Sequence, residues 1–192
     1  DVYKRQANAF SVELWIKPAN VTQDGPARIF TISSSATARN FTLGQGKFGN
    51  HPTDVFDVRL RTNDPSTDTN GEPSTTTSSG TASTDLTHLV YTRDEFGQAA
   101  FVINGSVASI SSTSGDLSNW DTSYALGLAN EFGSDRPWLG ELHGVAFYNC
   151  TLGEEEIISN FTNGEFSALI PPPQPTPDPE PSPEPTPDPP SN

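Results

Sequence analysis

Arginines, carboxylates and amides in polar segments are the side chains of this chain that could bind a hydroxylated ligand such as a sugar. Such a ligand is held by an aromatic ring beside polar groups that match its hydroxyls. Trp120 lies in a polar segment, whereas Trp15 and Trp138 lie in predicted strands, where burial in the core is expected. For Trp120, an exposed platform and a core position remain open alternatives. The candidate ligand-binding residues are Arg59, Arg61, Asp116, Trp120, Asn130, Glu131, Asp135 and Arg136.

The stretch Ser66-x-Asp68-x-Asn70-Gly71 resembles the start of a calcium-binding loop, in which oxygen ligands recur at every second residue. The stretch lacks an acid at its first position, and Thr77 stands where a bidentate glutamate is needed. Asp68 and Asn70 are therefore candidate calcium ligands, and no other cofactor is predicted. The alternative, which the sequence favours, is turn chemistry, in which Asp and Asn side chains bond to nearby backbone amides.

Nucleophilic hydrolysis has no support in the sequence. The chain contains no Gly-x-Ser-x-Gly elbow, and His51, His88 and His143 are scattered rather than spaced as in a catalytic triad. His88 lies in a predicted strand, which favours a structural hydrogen-bonding role.

The composition excludes several classes of protein. The chain has 192 residues, with ten Lys and Arg against 24 Asp and Glu and a net charge of -14, so it lacks the basic surface that nucleic-acid binding requires. Its single cysteine, Cys150, rules out an internal disulfide framework and a Cys-rich zinc site. No run approaches the roughly eighteen consecutive apolar residues of a membrane helix. We expect an acidic domain with no nucleic-acid partner and no membrane insertion.

Period-two alternation of apolar and polar residues dominates the middle of the chain and predicts about nine short strands. In the segment 55–61, Phe56, Val58 and Leu60 are expected to face the core, with Asp57 and Arg59 on the other face. Asn104-Gly105 predicts a two-residue hairpin, because both positions tolerate the positive φ angles of a type I′ turn. The predicted strands are 10–17, 28–33, 40–44, 55–61, 86–92, 99–103, one following Gly105, 124–129 and 138–148.

One short helix is predicted after the last strand. Thr151 and Glu154 have the spacing of a capping box, and Ile157, Ile158 and Phe161 are expected to form its packing stripe, with Gly164 as its end. The segment 63–83 has almost nothing to bury, and its Ser, Thr and Gly content predicts disorder rather than a functional loop. The predicted fold class is thus an all-β antiparallel sandwich or jelly roll with one C-terminal helix.

Both ends of the chain differ from the middle. Residues 1–6 reverse-translate to the end of a transposon used to prepare sequencing libraries, which predicts that they are adapter read-through in a metagenomic fragment. Residues 167–192 hold twelve of the 18 prolines and four acids. Proline at every second position is typical of a disordered, polyproline-II-like chain, so we expect a semi-rigid acidic linker to another domain.

Two stretches of the predicted sandwich carry a family resemblance. The sequence WLGELHGVAFY at 138–148, followed by Leu152, Glu156 and Ile157, resembles the closing strand and helix start of laminin-G-like, concanavalin A-like jelly-roll domains. FSVELWIKP at 10–18 resembles an internal strand of the same family. A bacterial branch of the family is similar at HLVYTRD (88–94), VING (102–105), GDLSNWD (115–121) and DRPWLGEL (135–142). The resemblance covers residues 7 to about 166. Because the family has a first strand before the 10–18 segment, we expect the domain (7–166) to lack its first strands and to leave either an unpaired sheet edge or an open slot in the core.

The resemblance implies a function but does not name a ligand. Glucanases with this fold carry two carboxylates in a Glu-x-Asp-x-x-Glu strand, and this chain has no such run, so we expect no enzymatic activity. His143-Gly144 stands where many members have Asp-Glu. The resemblance implies a non-catalytic recognition or adhesion module for a glycan or an extracellular protein, in a larger exported or cell-surface protein. The alternatives are a purely structural spacer and an accessory domain of a polysaccharide-degrading enzyme.

Overall fold

Ten strands and one helix make up the part of the chain that the computed structural model describes, residues 8–49, 52–164 and 166. The predictions for the two ends, residues 1–6 and 167–192, lie outside these residues. The elements are β1 (Phe10–Pro18), β2 (Ala27–Ser35), β3 (Ala38–Gln45), β4 (Phe56–Leu60), β5 (Thr75–Thr76), β6 (Thr87–Arg93), β7 (Gln98–Ile103), β8 (Ser106–Ser112), β9 (Ala125–Leu128), β10 (Gly140–Tyr148) and α1 (Glu154–Asn163).

The strands form two antiparallel five-stranded sheets packed face to face, which confirms the predicted β-sandwich. Sheet I has the order β10-β1-β6-β7-β8, and sheet II has the order β5-β4-β3-β2-β9. Period-two alternation directs one apolar face of each sheet inward. At the centre, the ring of Phe10 from sheet I lies edge-to-face against Phe41 of sheet II, with centroids 5.1 Å apart. Trp138 is 4% exposed and belongs to the same core, as predicted.

The hairpin between β7 and β8 has the predicted turn. Asn104 and Gly105 have φ angles of 50° and 74°, and both lie in the left-handed region that a type I′ turn requires. The backbone twist of a type I′ turn matches the twist of the two flanking strands, so these two residues are sufficient to determine the connection.

Helix α1 covers the outer face of sheet I and corrects two predictions. Its N-cap is Gly153 with no side-chain cap, and Thr151 donates its hydroxyl to the carbonyl of Arg93 instead, so the predicted capping box is wrong. Gly164 ends the helix, as predicted. Ile157 is buried against Val90 and Val102 of the sheet. Ile158 is exposed, because the sheet contacts one narrow side of the helix.

The segment 63–83 is an ordered loop, so the prediction of disorder is wrong. Its hydrogen bonds reach strand β4 and the 114–119 segment: Thr76 donates its hydroxyl to Asp57, and the Asn63 amide donates to the hydroxyl of Ser118. Strand β5 also lies within it and pairs with β4. This loop is therefore held mainly by hydrogen bonds rather than by buried apolar side chains. A hydropathy pattern does not detect such contacts, which is why disorder was predicted.

Candidate functional site

The face of sheet II that points away from the core carries polar side chains in two rows. Because adjacent residues on a strand alternate between faces, the apolar core residues of β2, β3 and β4 leave their polar neighbours on the outer face. The register aligns these polar residues across the strands. One row holds Gly127, Thr31, Thr42 and Arg59, and the other holds Arg28, Gly44, Asp57 and Thr76.

A buried ion pair joins β2 to the loop that follows β9. Nε of Arg28 lies 3.2 Å from Oε2 of Glu131, and the two side chains are 1% and 0% exposed. The other nitrogens of Arg28 donate to the carbonyl oxygens of Pro26 and Ala36. Glu131 also accepts the hydroxyl hydrogen of Ser33. Every nitrogen of this guanidinium thus has a protein partner, so Arg28 supports the site.

Arg39 lies beside this pair and is less well satisfied. It is fully buried and donates to the hydroxyl of Thr42 at 3.2 Å and to the carbonyl of Ala36, but its Nε has no hydrogen-bond partner. Burial and the neighbouring charges of Arg28 and Arg59 lower the pKa of Arg39 to about 9. A buried donor without a hydrogen-bond partner is unfavourable.

Arg59, on β4, contacts two carboxylates unequally. Its Nη2 lies 2.8 Å from Oε1 of Glu72, whereas its Nε lies 3.7 Å from Oδ2 of Asp57. The Nε and the Oδ2 are both buried without a hydrogen-bond partner. Burial raises the pKa of Asp57, although a hydrogen bond from Thr76 opposes the rise.

A tight turn brings Asn70 and Glu72 onto Arg59. Oδ1 of Asp68 accepts the backbone N–H groups of Asn70 and Glu72, each at 2.9 Å. Gly71 has a φ of 70°, and a side chain there would come within 2.8 Å of the Arg59 backbone, so only glycine allows this close approach. Asn70 presents a buried Oδ1 that has no hydrogen-bond partner.

Arg28, Arg59, Asn70 and Glu72 line a small cavity, here called the arginine cleft. Its volume is 160 Å³. The exposed ring of Phe48 forms one wall, 58% exposed, with the guanidinium carbon of Arg136 5.2 Å from the ring centroid. The cleft therefore combines an aromatic face with guanidinium, amide and carboxylate groups. Its lining residues are Pro26, Arg28, Ala36, Thr37, Phe48, Arg59, Asn70, Glu72 and Arg136.

Five of the residues singled out in the sequence meet at or next to this cleft. Arg59 and Arg136 line it, Glu131 lies buried behind it, and Asn130 holds its loop by accepting the backbone N–H groups of Glu131 and Arg136 at 2.7 and 3.3 Å. Asp135 borders the neighbouring depression that also contains Arg136. Glu131 is a supporting residue, because its carboxylate is fully buried against Arg28.

Trp120 lies elsewhere, in the core, so the alternative of an exposed platform is wrong. It is 5% exposed, its ring centroid lies 5.6 Å from that of Phe10, and its Nε1 donates to the carbonyl of Arg61 at 2.8 Å. Burial of its large apolar ring favours the core over solvent. Asp116 lies in the same part of the fold and accepts the backbone N–H of Ser118 at 2.9 Å. Neither Arg61 nor Asp116 is among the residues that line the arginine cleft.

The candidate calcium ligands form a turn. Both bonds to Oδ1 of Asp68 come from backbone amides, as the favoured alternative predicted. In the part of the chain that the structure describes, no three or more His, Cys, Asp or Glu side chains are grouped in a way that could hold a metal ion.

Four residues of the site were not singled out in the sequence: Arg28, Arg39, Phe48 and Glu72. Arg28 and Arg39 each stand near the start of an apolar strand, and a charged residue within a strand that is otherwise buried is the signal that could have identified them. Phe48 and Glu72 lie in loops, and only the tertiary structure brings them together.

A second polar cluster lies beneath helix α1. The carboxylate of Glu13 accepts hydrogen bonds from the hydroxyl of Tyr148 at 2.7 Å and from the Asn160 amide, and lies 2.7 Å from Nε2 of His88. Although burial raises the pKa of Glu13, these bonds outweigh it and hold the pKa below its ordinary value. The His88 ring packs against Trp15 and Phe161, with centroids 4.7 and 5.8 Å away. Asn160 ties helix α1 to this cluster, and the contact of His88 with Glu13 gives His88 the hydrogen-bonding position predicted for it.

Residues 2–158 match the concanavalin A-like lectin/glucanases superfamily, so the chain belongs to it. No match was found among curated protein sequences. In the described part of the chain, no helix has the length and apolar character to cross a membrane.

Solved structures share the fold at low identity. A Bacteroides ovatus protein described as carbohydrate-binding is 16% identical, with a TM-score of 0.63 over 81% of this chain and 41% of its own. This chain thus spans about two fifths of that protein. Domain 4 of AbnA, an extracellular GH43 arabinanase from Geobacillus stearothermophilus, in complex with arabinotriose, is 20% identical, with a TM-score of 0.54 over 79% of this chain and 66% of its own. The CBM40 of a Ruminococcus gnavus IT-sialidase, bound to α2,3-sialyllactose, is 14% identical, with a TM-score of 0.58 over 79% of this chain and 81% of its own.

Proposed function

We propose that this chain is a non-catalytic recognition module that binds a glycan in the arginine cleft. The observation that carries the proposal is the exposed ring of Phe48 beside two polar atoms that lack a hydrogen-bond partner, the Nε of Arg59 and the Oδ1 of Asn70. A sugar presents C–H groups that pack on an aromatic ring and hydroxyls that both donate and accept hydrogen bonds. Guanidinium groups donate and amide or carboxylate oxygens accept, so the cleft offers both complements.

The size of the cleft supports recognition of one sugar unit. At 160 Å³ it is smaller than the about 300–1,000 Å³ of pockets for drug-sized ligands. A terminal sugar or a single side branch of a glycan is therefore the expected occupant, and the rest of the glycan would lie in solvent.

The condition of the carboxylates supports a non-catalytic role. Glycoside hydrolysis requires two carboxyl groups that flank the bond to be broken. The side chains of Asp57 and Glu131 are fully buried and lie in ion pairs, while that of Glu72 is 39% exposed and paired with Arg59. The acids at this cleft are thus committed to positioning guanidinium groups.

The module is proposed to belong to a larger exported protein. In that protein, the acidic, Pro-rich stretch 167–192 would link the module to a neighbouring domain. The similarity to a domain of an extracellular arabinanase favours a second candidate, an accessory domain of a polysaccharide-degrading enzyme, which would bind the same kind of ligand. A purely structural spacer is disfavoured by the exposed Phe48, because an unliganded role gives no reason to keep an aromatic ring beside unpartnered polar atoms.

A glycan array probed with the full chain, with and without calcium, tests the proposal. We expect hits that Phe48→Ala abolishes and that Phe96→Ala leaves intact. Phe96 is the matched control because it is an equally large ring, 79% exposed, in the β6–β7 hairpin of the other sheet. Absence of any hit under both conditions, or equal loss with the two variants, would contradict glycan binding at this cleft. Binding of a protein ligand alone would point to adhesion instead.

A further inference from the structure

Among the residues that the structure describes, cationic side chains are concentrated at the arginine cleft. Three of the ten Lys and Arg residues, namely Arg28, Arg59 and Arg136, line the cleft in a chain with 24 acidic residues, and the buried Arg39 lies near Arg28 and Arg59. Arg28, Arg39 and Arg59 are buried or nearly so. Burying like charges together is unfavourable unless acceptors compensate them, so the balance of acceptors decides which ligand the cleft suits.

The two fully buried carboxylates near the cleft are engaged by protein donors. Glu131 is bound by Arg28 and Ser33, and Asp57 is bound by Thr76 and lies 3.7 Å from Arg59. This leaves the Nε atoms of Arg39 and Arg59 buried without a hydrogen bond. The cavity is thus lined by three guanidinium groups and by a single carboxylate, that of Glu72.

The electrostatic state of Arg39 points in the same direction. Its pKa is lowered by burial first, and then by the positive charges of Arg28 and Arg59. A negative charge in the cleft would favour the charged form of Arg39, whereas a neutral hydroxyl carries no net charge that could do so. Guanidinium groups also bind carboxylates with paired, charge-assisted hydrogen bonds, which are stronger than bonds to neutral acceptors.

We propose that the arginine cleft selects a sugar that carries a carboxylate, a uronic or a sialic acid, over the corresponding neutral sugar. The carboxylate pairs with Arg59 and Arg136, which both line the cavity, and the sugar ring lies on Phe48. This inference rests on the proposed glycan-binding function and adds the class of ligand to it.

Calorimetric titration of the full chain with matched sugar pairs tests the selectivity. One arm compares a glucuronic-acid-terminated disaccharide with its glucose-terminated counterpart, and the other compares sialyllactose with lactose. We expect the acidic member of at least one pair to bind at least about tenfold more tightly. The arm in which the preference appears identifies the source of the carboxylate. The methyl ester of that acid should bind like the neutral sugar, and added salt should weaken only the binding of the acid.

Variants locate the preference in the cleft. Arg136→Gln removes a partly exposed guanidinium and should abolish the preference for the acid with little loss of stability. Lys17→Gln removes one positive charge from an exposed position on sheet I and should leave the preference unchanged. Equal binding of acidic and neutral sugars would overturn the selectivity and leave the proposed function standing. A preference that survives Arg136→Gln would also overturn it, and failure of all sugars to bind would overturn both proposals.

Discussion

The guanidinium of Arg28 and the carboxylate of Glu131 form a fully buried ion pair between residues 103 positions apart in the chain. The pair ties strand β2 of sheet II to the loop that follows β9. It therefore positions Arg136, which lies at the end of that loop and lines the arginine cleft. The pair links the stability of the fold to the geometry of the candidate site.

Breaking this ion pair on one side should be strongly destabilising. Arg28→Met leaves a buried carboxylate without its cationic partner, so we expect the free energy of unfolding to fall by about 3–5 kcal/mol. The measurement is urea denaturation at neutral pH. The double variant Arg28→Met with Glu131→Leu removes both charges and should be more stable than the sum of the two single changes implies. Strict additivity would show that the two groups do not interact.

The Glu13 cluster predicts how stability responds to acid. The pKa of Glu13 is below its ordinary value of 4.5 in the folded protein. The folded state thus binds this proton less readily than the unfolded chain does, so the contribution of Glu13 is present above pH 4.5 and is lost as the pH falls through the folded pKa.

Glu13→Gln isolates this contribution. We expect a loss of about 1–3 kcal/mol at neutral pH, because the bonds from His88, Tyr148 and Asn160 no longer meet a charged acceptor. The difference in the free energy of unfolding between variant and parent, measured by urea denaturation, should shrink as the pH is lowered below the ordinary glutamate pKa of 4.5. Glu155→Gln, at an exposed position of helix α1, is the control and should change little at any pH. A difference that does not depend on pH would contradict this account.

Three glycines with positive φ angles form a graded series for the same change to alanine. A side chain at Gly80 meets no atom within 4 Å, one at Gly105 comes within 3.1 Å of the Phe161 ring, and one at Gly97 comes within 2.3 Å of the Thr113 carbonyl oxygen. Gly80→Ala should lose only the left-handed backbone penalty, about 1–2 kcal/mol. Thermal or urea unfolding should then rank Gly105→Ala as less stable and Gly97→Ala as the least stable. An equal loss at all three positions would show that backbone strain alone determines the effect.

Asp68 distinguishes turn chemistry from calcium binding. Asp68→Ala removes the acceptor of two backbone N–H groups and should lower the free energy of unfolding by about 1 kcal/mol. Asp68→Asn keeps an acceptor oxygen and should retain most of the stability. The melting temperature of the parent should be the same in calcium and in chelator. A calcium-dependent rise that Asp68→Ala abolishes would instead support the metal site.

Strand positions and core faces of this protein are largely predictable from its sequence. Alternation over β1 and β4 identified Phe10 and Phe56 as core residues, and Asn104-Gly105 determined its own hairpin. These features depend on residues that are close in sequence. The start of α1 was mispredicted because the hydroxyl of Thr151 is used by Arg93, a residue on a different element.

The amino-acid sequence by itself determined an acidic antiparallel sandwich with one C-terminal helix, since period-two alternation and turn chemistry are local properties. Only the tertiary structure decided which polar residues meet. Register aligned Thr42 with Arg59 across two strands, and loop closure brought Phe48, Glu72 and Arg136 to one cavity. It also decided that Trp120 is a core residue and that Arg39 is buried. The physical reason is that burial and partners depend on which strands pack against which loops, and residues distant in the chain set both.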